Sequence, residues 1–367
     1  MVLVLPILTT LSCIALLISL SNLLVMRSLS QNPATEDLKD PKNFDVAILI
    51  PMRNEAFNAA SVIESALASR GLSSVEILAL DDNSTDSTRD ILEGYASRIK
   101  VLHGDKLPEG WLGKPYACLQ LAQNSSQEFL VFLDADVRLS PSAISSAIDL
   151  MQSLEWDFIS PYPAQHGKTL LMKLIQPLLQ WSWLTSVPLR LAESGKWPSM
   201  IIANGQFFIV KRSTYFAISG HEAVKDEVLE DLALARKLTD NGFKGGVAEA
   251  SKVATCTMYE SNSQLISGYT KSLWKAFGGP VGSLFTIALL ILTQVLPSIL
   301  LLTGITTAAL PFTLVALTHF VAATRSKSPI YNVILHPISA LILVYLICES
   351  YRRKSLGQLE WRGRRVI

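Results

Sequence analysis

The chain has 367 residues with 32 basic and 31 acidic side chains, and 49% of it is hydrophobic. So even a charge balance provides no broad positive field of the kind that binds nucleic acid, and no nucleic-acid partner is expected. The mean hydropathy of +0.33 is too high for an ordinary soluble enzyme; the apolar excess gathers at the two ends, which points to membrane segments flanking a globular middle.

Residues 2–26 are uncharged and long enough to cross about 30 Å of hydrocarbon as a helix, so they are read as an N-terminal anchor at 1–26. A cleaved signal peptide fits less well, because the run lacks a basic start and is too long. Arg27, Lys39 and Lys42 follow closely, and the positive-inside bias places what comes next in the cytoplasm, with a bacterial-type plasma membrane as the setting. Residues 27–44, rich in Ser, Asn, Pro and Asp, read as a linker.

From Asp45 onward, short β-rich runs alternate with amphipathic stretches. Strands are expected at Val46–Ile50, Val75–Leu80, Ile99–Leu102 and Phe129–Leu133, with helices near Phe57–Ser69, Asp86–Ala96 and Lys114–Gln123. Such repetition implies βαβ units and a mainly parallel, Rossmann-like α/β sheet whose ligand lies outside the strand C-termini. The polar residues after each strand are therefore the candidates.

After the first strand comes Pro51-Met-Arg53-Asn-Glu55, which by itself reads as a turn with Asn and Glu capping a helix. After the second comes Asp81-Asp82-Asn83-Ser84-Thr85-Asp86. Asn and Ser suit an N-cap and Asp86 a first-turn charge, whereas Asp81 and Asp82 at the strand end suit a nucleoside's N–H or hydroxyl groups. No G-x-G-x-x-G and no Walker motif appears, which removes the main support for dinucleotide and ATP-hydrolysing readings. Lys114, in Gly113-Lys114-Pro115 at a helix start, is placed to meet a phosphate, with a solvated lysine as the alternative. The run Phe129–Leu133 then ends in Asp134-Ala135-Asp136. Carboxylates two apart point to opposite faces of a strand, so both meet one ligand only if the chain bends between them. In that case Asp136, with Asp134, would hold Mg²⁺ or Mn²⁺ against a diphosphate.

Residues 170–191 are apolar but interrupted by Lys173, Pro177 and Pro188. With Trp181 and Trp183 they fit an interfacial helix that would admit a lipid, and a core helix is the alternative. Glu230 and Asp231 open a helix closed by Asn241-Gly242. The helix dipole would keep such a carboxylate ionised, as a general base requires; His221 reads first as a satisfied structural histidine, with a second polar group of the site as the alternative. Three apolar runs follow, Val281–Thr303, Ile305–Ala323 and Ile330–Ile347. Three crossings would strand the basic tail 351–367 outside, and His336-Pro337 interrupts the last run, so that run is expected to be re-entrant or interfacial. The four cysteines show no disulfide or zinc spacing.

Together Pro51-Met-Arg-Asn-Glu55, Asp81-Asp-Asn-Ser-Thr-Asp86, Asp134-Ala-Asp136 and Glu230-Asp231 resemble, in order, the motifs of membrane-bound family 2 glycosyltransferases with a GT-A fold. Gly110-Trp-Leu-Gly-Lys-Pro-Tyr-Ala117, Gly220-His-Glu-Ala-Val224 and Trp361-Arg-Gly-Arg364 are similar to the branch that glycosylates carotenoid- and hopanoid-type lipids. The resemblance implies a GT-A domain over 45–279 and C-terminal transmembrane or re-entrant segments over 280–350. It implies donor-nucleotide contacts from Pro51, Arg53, Glu55, Asp82, Lys114 and Asp134, a divalent metal at Asp136 and Asp134, and a catalytic pair of Asp231 as base beside Glu230. The implied reaction is inverting, metal-dependent transfer of one sugar from a nucleotide-diphosphate sugar to a membrane-lipid hydroxyl. Processive relatives carry Q-x-x-R-W, where this chain reads Tyr269-Thr-Lys-Ser-Leu-Trp274-Lys275, which favours single transfer. The alternatives are a polyprenyl-phosphate sugar synthase and an inactive membrane scaffold.

Overall fold

A computed structural model describes residues 4–30, 42–361 and 363–365. The chain forms two compact units, one from 26–164 and 190–257, the other from 1–25, 165–189 and 258–367.

The first unit is α/β. Its strands are β1 (Arg27–Ser28), β2 (Lys42–Met52), β3 (Leu72–Asp81), β4 (Lys100–His103), β5 (Phe129–Leu133), β6 (Val137–Leu139), β7 (Phe158–Tyr162), β8 (Ala164–Gln165), β9 (Phe207–Lys211), β10 (Gly245–Glu249) and β11 (Ala254–Cys256). Eight of these form one sheet in the order β1-β10-β7-β9-β5-β2-β3-β4. All neighbours are parallel except β9, which runs antiparallel to both β5 and β7. β6 and β11 pair separately and antiparallel.

Because both faces are covered, β2 and β5 are continuous apolar runs; Val46 to Ile50 are fully buried, as is Leu130. Ala117 and Leu121 of the helix Gly113–Gln123 and Leu234 and Leu238 of the helix Glu230–Asp240 pack with Leu49, Leu78, Phe132 and Phe208 in one core. Truncating Leu49 in such packing costs about 2–5 kcal/mol. The register Met52↔Asp81 aligns the ends of β2 and β3, so the polar residues after them emerge at one edge. Residues 27–28 form β1 and 42–44 belong to β2, which narrows the linker read over 27–44 from both sides; its residues 31–41, with Lys39, lie outside the described residues.

The second unit is helical. Val4–Val25, Gly279–Leu302, Thr306–Ser326 and Asn332–Ser355 are each long and apolar enough to cross a membrane. A π turn at Ile291–Val295 interrupts the second of them. Pro337 lies inside the last without ending it, so the expected interruption at His336-Pro337 is absent: as the sixth residue the proline takes away one i→i−4 bond, and the rest of the 24-residue ladder carries the helix through. Leu170–Ser186 belongs to this unit. Asn22 closes its C-terminus, with Nδ2 donating to Leu184 O (2.9 Å) and Val187 O (2.8 Å) and Oδ1 accepting from Leu189 N (2.9 Å). Trp181 Nε1 donates to Thr318 (2.9 Å) and its ring stacks on His319, which meets Gln294 at 2.9 Å. These polar groups among apolar helices are thus paired between helices, as low dielectric favours, whereas both ring nitrogens of buried His336 have no hydrogen-bond partner among the described residues.

Candidate active site

The edge built by β2, β3 and β5 carries the site. After β2, Arg53 Nη1 donates to Asp82 O (2.6 Å) and Asn83 O (2.7 Å), tying the first two motifs together. Asn54, in the left-handed region, accepts from Thr85 N (2.8 Å). Asp86 lies before the helix Thr88–Gly94 rather than in its first turn; its carboxylate accepts from Thr88 N (3.0 Å), Thr88 Oγ1 (2.5 Å) and Ala56 N (3.1 Å). Burial opposes the charge on Asp86, yet these donors outweigh it and lower its pKa. Asp81 accepts from Ser84 N (3.1 Å), while Ser87, the N-cap, makes no side-chain cap.

β5 ends at Leu133 and the chain turns at Asp134-Ala135-Asp136, with Val137 N donating to Asp134 O (3.1 Å) before β6 begins. The bend that both carboxylates require is present. Asp134 N donates to Gln206 O (3.0 Å) because antiparallel β9 brings the residues before it to the same edge. Lys114 Nζ lies 2.8 Å from Asp134 Oδ1 and 3.0 Å from Glu230 Oε1. Burial alone would push its ammonium down, but these two carboxylates hold it well above the usual lysine range. Asp231 Oδ2 accepts from Gly205 N (2.6 Å) and Oδ1 from Leu232 N (2.8 Å). Burial, then the Glu230 charge, push its carboxyl up to about 6, against Lys114 and the two backbone donors.

Pro51, Lys114, Asp134, Glu230 and Asp231 line one pocket, joined by Cys118, Phe132, Gly205, Phe208, Leu234 and His221. Arg53, Glu55, Asp82 and Asp136 sit at the adjoining strand ends rather than in its wall. Burial and the charges of Asp134 and Glu55 push Asp136 up to about 7, and its Oδ1 has no hydrogen-bond partner among the described residues. An orphaned carboxylate oxygen beside two further acids fits a hard divalent cation. Among the described residues no three ligating side chains converge on one point, so the residues fit an ion completed by substrate phosphates and water. Arg138, which sequence reasoning missed, braces this turn: Nη1 donates to Ala135 O (2.7 Å) and Nη2 to Asn58 Oδ1 (3.0 Å).

His221 is buried, which pushes its imidazole down to about 4, so it is neutral. Its Nδ1 meets the Tyr215 hydroxyl at 2.9 Å, and its backbone N donates to the same oxygen at 3.0 Å. Gly220 permits this contact: it has φ +54°, and a Cβ there would lie 2.2 Å from Tyr215 Cζ. Gly205, in Asn204-Gly205-Gln206, and Phe208, in β9, were missed by sequence reasoning, since neither carries an ionisable side chain.

A family model described as Glycosyl transferase family 2 matches residues 47–230. The chain is 24% identical over 348 residues to a 4,4'-diaponeurosporenoate glycosyltransferase of Staphylococcus aureus (strain bovine RF122 / ET3-1), covering 87% of each sequence. Its fold is similar to that of a mannosyltransferase from Pyrobaculum calidifontis solved in complex with GDP-Man and Mn²⁺. That comparison has a TM-score of 0.53 and 14% identity, with 98% of this chain and 99% of the other covered.

Proposed function

The chain belongs to glycosyl transferase family 2, and from that premise we propose that it transfers one sugar, with inversion, from a nucleoside-diphosphate sugar to a hydroxyl of a membrane lipid. The observation that carries this reading is the meeting of Lys114, Asp134, Glu230 and Asp231 around one pocket at the C-terminal edge of the sheet. In the proposed reaction Asp231 takes the proton of the acceptor hydroxyl, whose oxygen bonds to the anomeric carbon from the face opposite the leaving diphosphate. The bond from that carbon to the phosphate oxygen breaks, and the electron pair leaves with the nucleoside diphosphate. The two backbone donors at 2.6 and 2.8 Å orient the base. Its pKa of about 6 leaves it ionised at neutral pH yet basic enough to accept a proton. Lys114 is placed to offset the charge that grows on the diphosphate. Asp136 and Asp134 would hold Mg²⁺ or Mn²⁺, which supplies further neutralisation of the phosphates when bound. Arg53 and Asp82 frame the nucleoside end, with Glu55 beside them.

The lipid acceptor is supported by four helices of spanning length and composition and by the carotenoid-type name of the Staphylococcus relative. A second reading comes from that name, whose ending denotes a carboxylate acceptor. A carboxylate needs no proton removed, so under that reading Asp231 positions the acceptor instead of deprotonating it.

The test is turnover of radiolabelled nucleotide sugars by the purified membrane protein with a lipid extract. One labelled product per acceptor, of inverted anomeric configuration and abolished by chelation, is expected. A ladder of products, or retained configuration, would overturn the reading.

A further inference from the structure

We propose that the C-terminal helix Asn332–Ser355 does not cross the bilayer but lies along the membrane face to which the α/β unit is connected, leaving three of the four long apolar helices as spans. This rests on the membrane reading above.

Two points of the chain mark that face. The first helix ends at Val25, where the chain leaves for the α/β unit, and the chain returns from it just before Asn262–Ala276. The N-terminal end of the C-terminal helix is held at this face. Only residues 327–331 separate it from the helix ending at Ser326, and Arg325 Nη2 donates to Leu23 O (3.3 Å) in the last turn of the first helix. Asn332 Nδ2 donates to Lys173 O (2.7 Å), on a helix whose two ends both lead back to the α/β unit.

The other end is held at the same face. Trp274 N donates to Ser350 Oγ (2.9 Å), Ser350 Oγ donates to Thr270 O, and Tyr351 OH donates to Trp274 O (2.8 Å). Tyr351 also meets Ser283 (3.0 Å), in the opening turns of the span that begins at Gly279, and Lys354 Nζ sits 3.4 Å above the Trp274 ring. The helix Asn262–Ala276, 15 residues long and carrying Asn262, Gln264, Lys271 and Lys275, is too short to cross, and it joins this end to the point where the chain returns from the α/β unit.

A helix of 24 residues is about 36 Å long, and standing upright it would place its ends on opposite sides of a hydrocarbon core about 30 Å thick. Here both ends are anchored on one side. The partner of its free face is lipid: Ile334, Ile338, Leu341 and Tyr345 recur at intervals of four, three and four residues and are 70%, 49%, 47% and 58% exposed. The polar residues Asn332, His336, Ser339, Glu349 and Ser350 are buried against protein. Arg352, Arg353 and Lys354 then lie on the side of the α/β unit, as the positive-inside rule requires, whereas a crossing would strand them opposite.

Single cysteines at Asn241 in the α/β unit, exposed Thr307 in the first turn of the span Thr306–Ser326, Ser328 and Gln358, in the chain cleared of its native cysteines, are labelled with an impermeant maleimide in inside-out and right-side-out vesicles. The inference expects Ser328→Cys and Gln358→Cys to label from the same side as Asn241→Cys, with Thr307→Cys opposite. Gln358→Cys labelling with Thr307→Cys overturns the in-plane helix alone. Thr307→Cys labelling with Asn241→Cys overturns both it and the membrane reading. Fluorescent-protein and alkaline-phosphatase fusions after Ile367 of the intact chain keep the native cysteines: fluorescence without phosphatase activity is expected, and phosphatase activity overturns the proposal.

Discussion

Replacing Asp231 with Asn keeps the shape of the side chain and removes its charge and basicity. The carboxylate uses both oxygens, Oδ2 toward Gly205 N and Oδ1 toward Leu232 N, and the amide has only one oxygen to offer. The loss of one such acceptor costs about 1 kcal/mol. It is offset by relief of the repulsion with Glu230 that helps push Asp231 up to about 6, so the folded protein should melt within a few degrees of wild type. Lys114 stays anchored by Asp134 and Glu230, so nucleoside-diphosphate affinity measured by calorimetry should change little. Turnover should fall by a factor of about 10² to 10⁴, the contribution of a positioned base, equivalent to about 3–5 kcal/mol of transition-state stabilisation. The assay is transfer of labelled sugar to lipid, resolved into kcat and KM. A variant with kcat close to wild type would refute the assignment of Asp231 as base and favour the carboxylate-acceptor reading.

The pH profile follows the same group. Wild-type kcat/KM should decline by about tenfold per pH unit below pH 6 as Asp231 takes up its proton, while the Asn variant should show a flat residual rate. Lys114→Met should weaken donor binding by about tenfold or more and lower Tm, since it leaves Asp134 and Glu230 facing each other with no cation between them, a buried charge left unpaired; unchanged donor affinity would remove Lys114 from the site. Asp136→Asn should abolish the Mn²⁺ dependence of nucleoside-diphosphate binding without lowering the Tm of the ligand-free protein at pH 8. Because burial and neighbouring acids raise the Asp136 pKa to about 7, the native state holds more protons than the unfolded chain between about pH 4 and 7. Ligand-free stability should therefore decrease as pH rises through that window, and a melting series showing the reverse would contradict the repulsion assigned to Asp134 and Glu55.

The strands β2 to β5 and the helices between them were legible because short β-rich runs alternate with amphipathic stretches and each run ends in a polar cluster, even at β4, whose residues are only half-buried or exposed. Phe129–Leu133 matches its strand end to end, since both ends are marked by charge. β1, two residues long, carries no periodicity, and the antiparallel direction of β9 is set by which neighbours it meets rather than by its apolar composition. The acids of the site could be seen because ionisable residues at strand ends are conspicuous. Gly205 and Arg138 could not, since one contributes only a backbone N–H and the other reaches its partners through a turn that exists only once β5 and β6 have formed. The proline at 337 was misleading because the single i→i−4 bond it removes is one of many in a 24-residue helix, which continues through it.

β7 and β9 are antiparallel neighbours, paired Phe158↔Val210 and Ile159↔Ile209, and such a pair can be closed by a turn of two residues. Here the connection is the whole of residues 163–206, carrying the helix Leu170–Ser186 and returning with Asn204-Gly205-Gln206. The entropic cost of closing a flexible loop grows by only about 0.6 kcal/mol per doubling of its length, so the sheet places little constraint on how long this excursion is. Insertions should be tolerated in the exposed stretch 194–200 while the strand pairing stays intact, whereas Leu170–Ser186, held by Asn22, Thr318 and Asn332, has to be exchanged together with the helices it packs on.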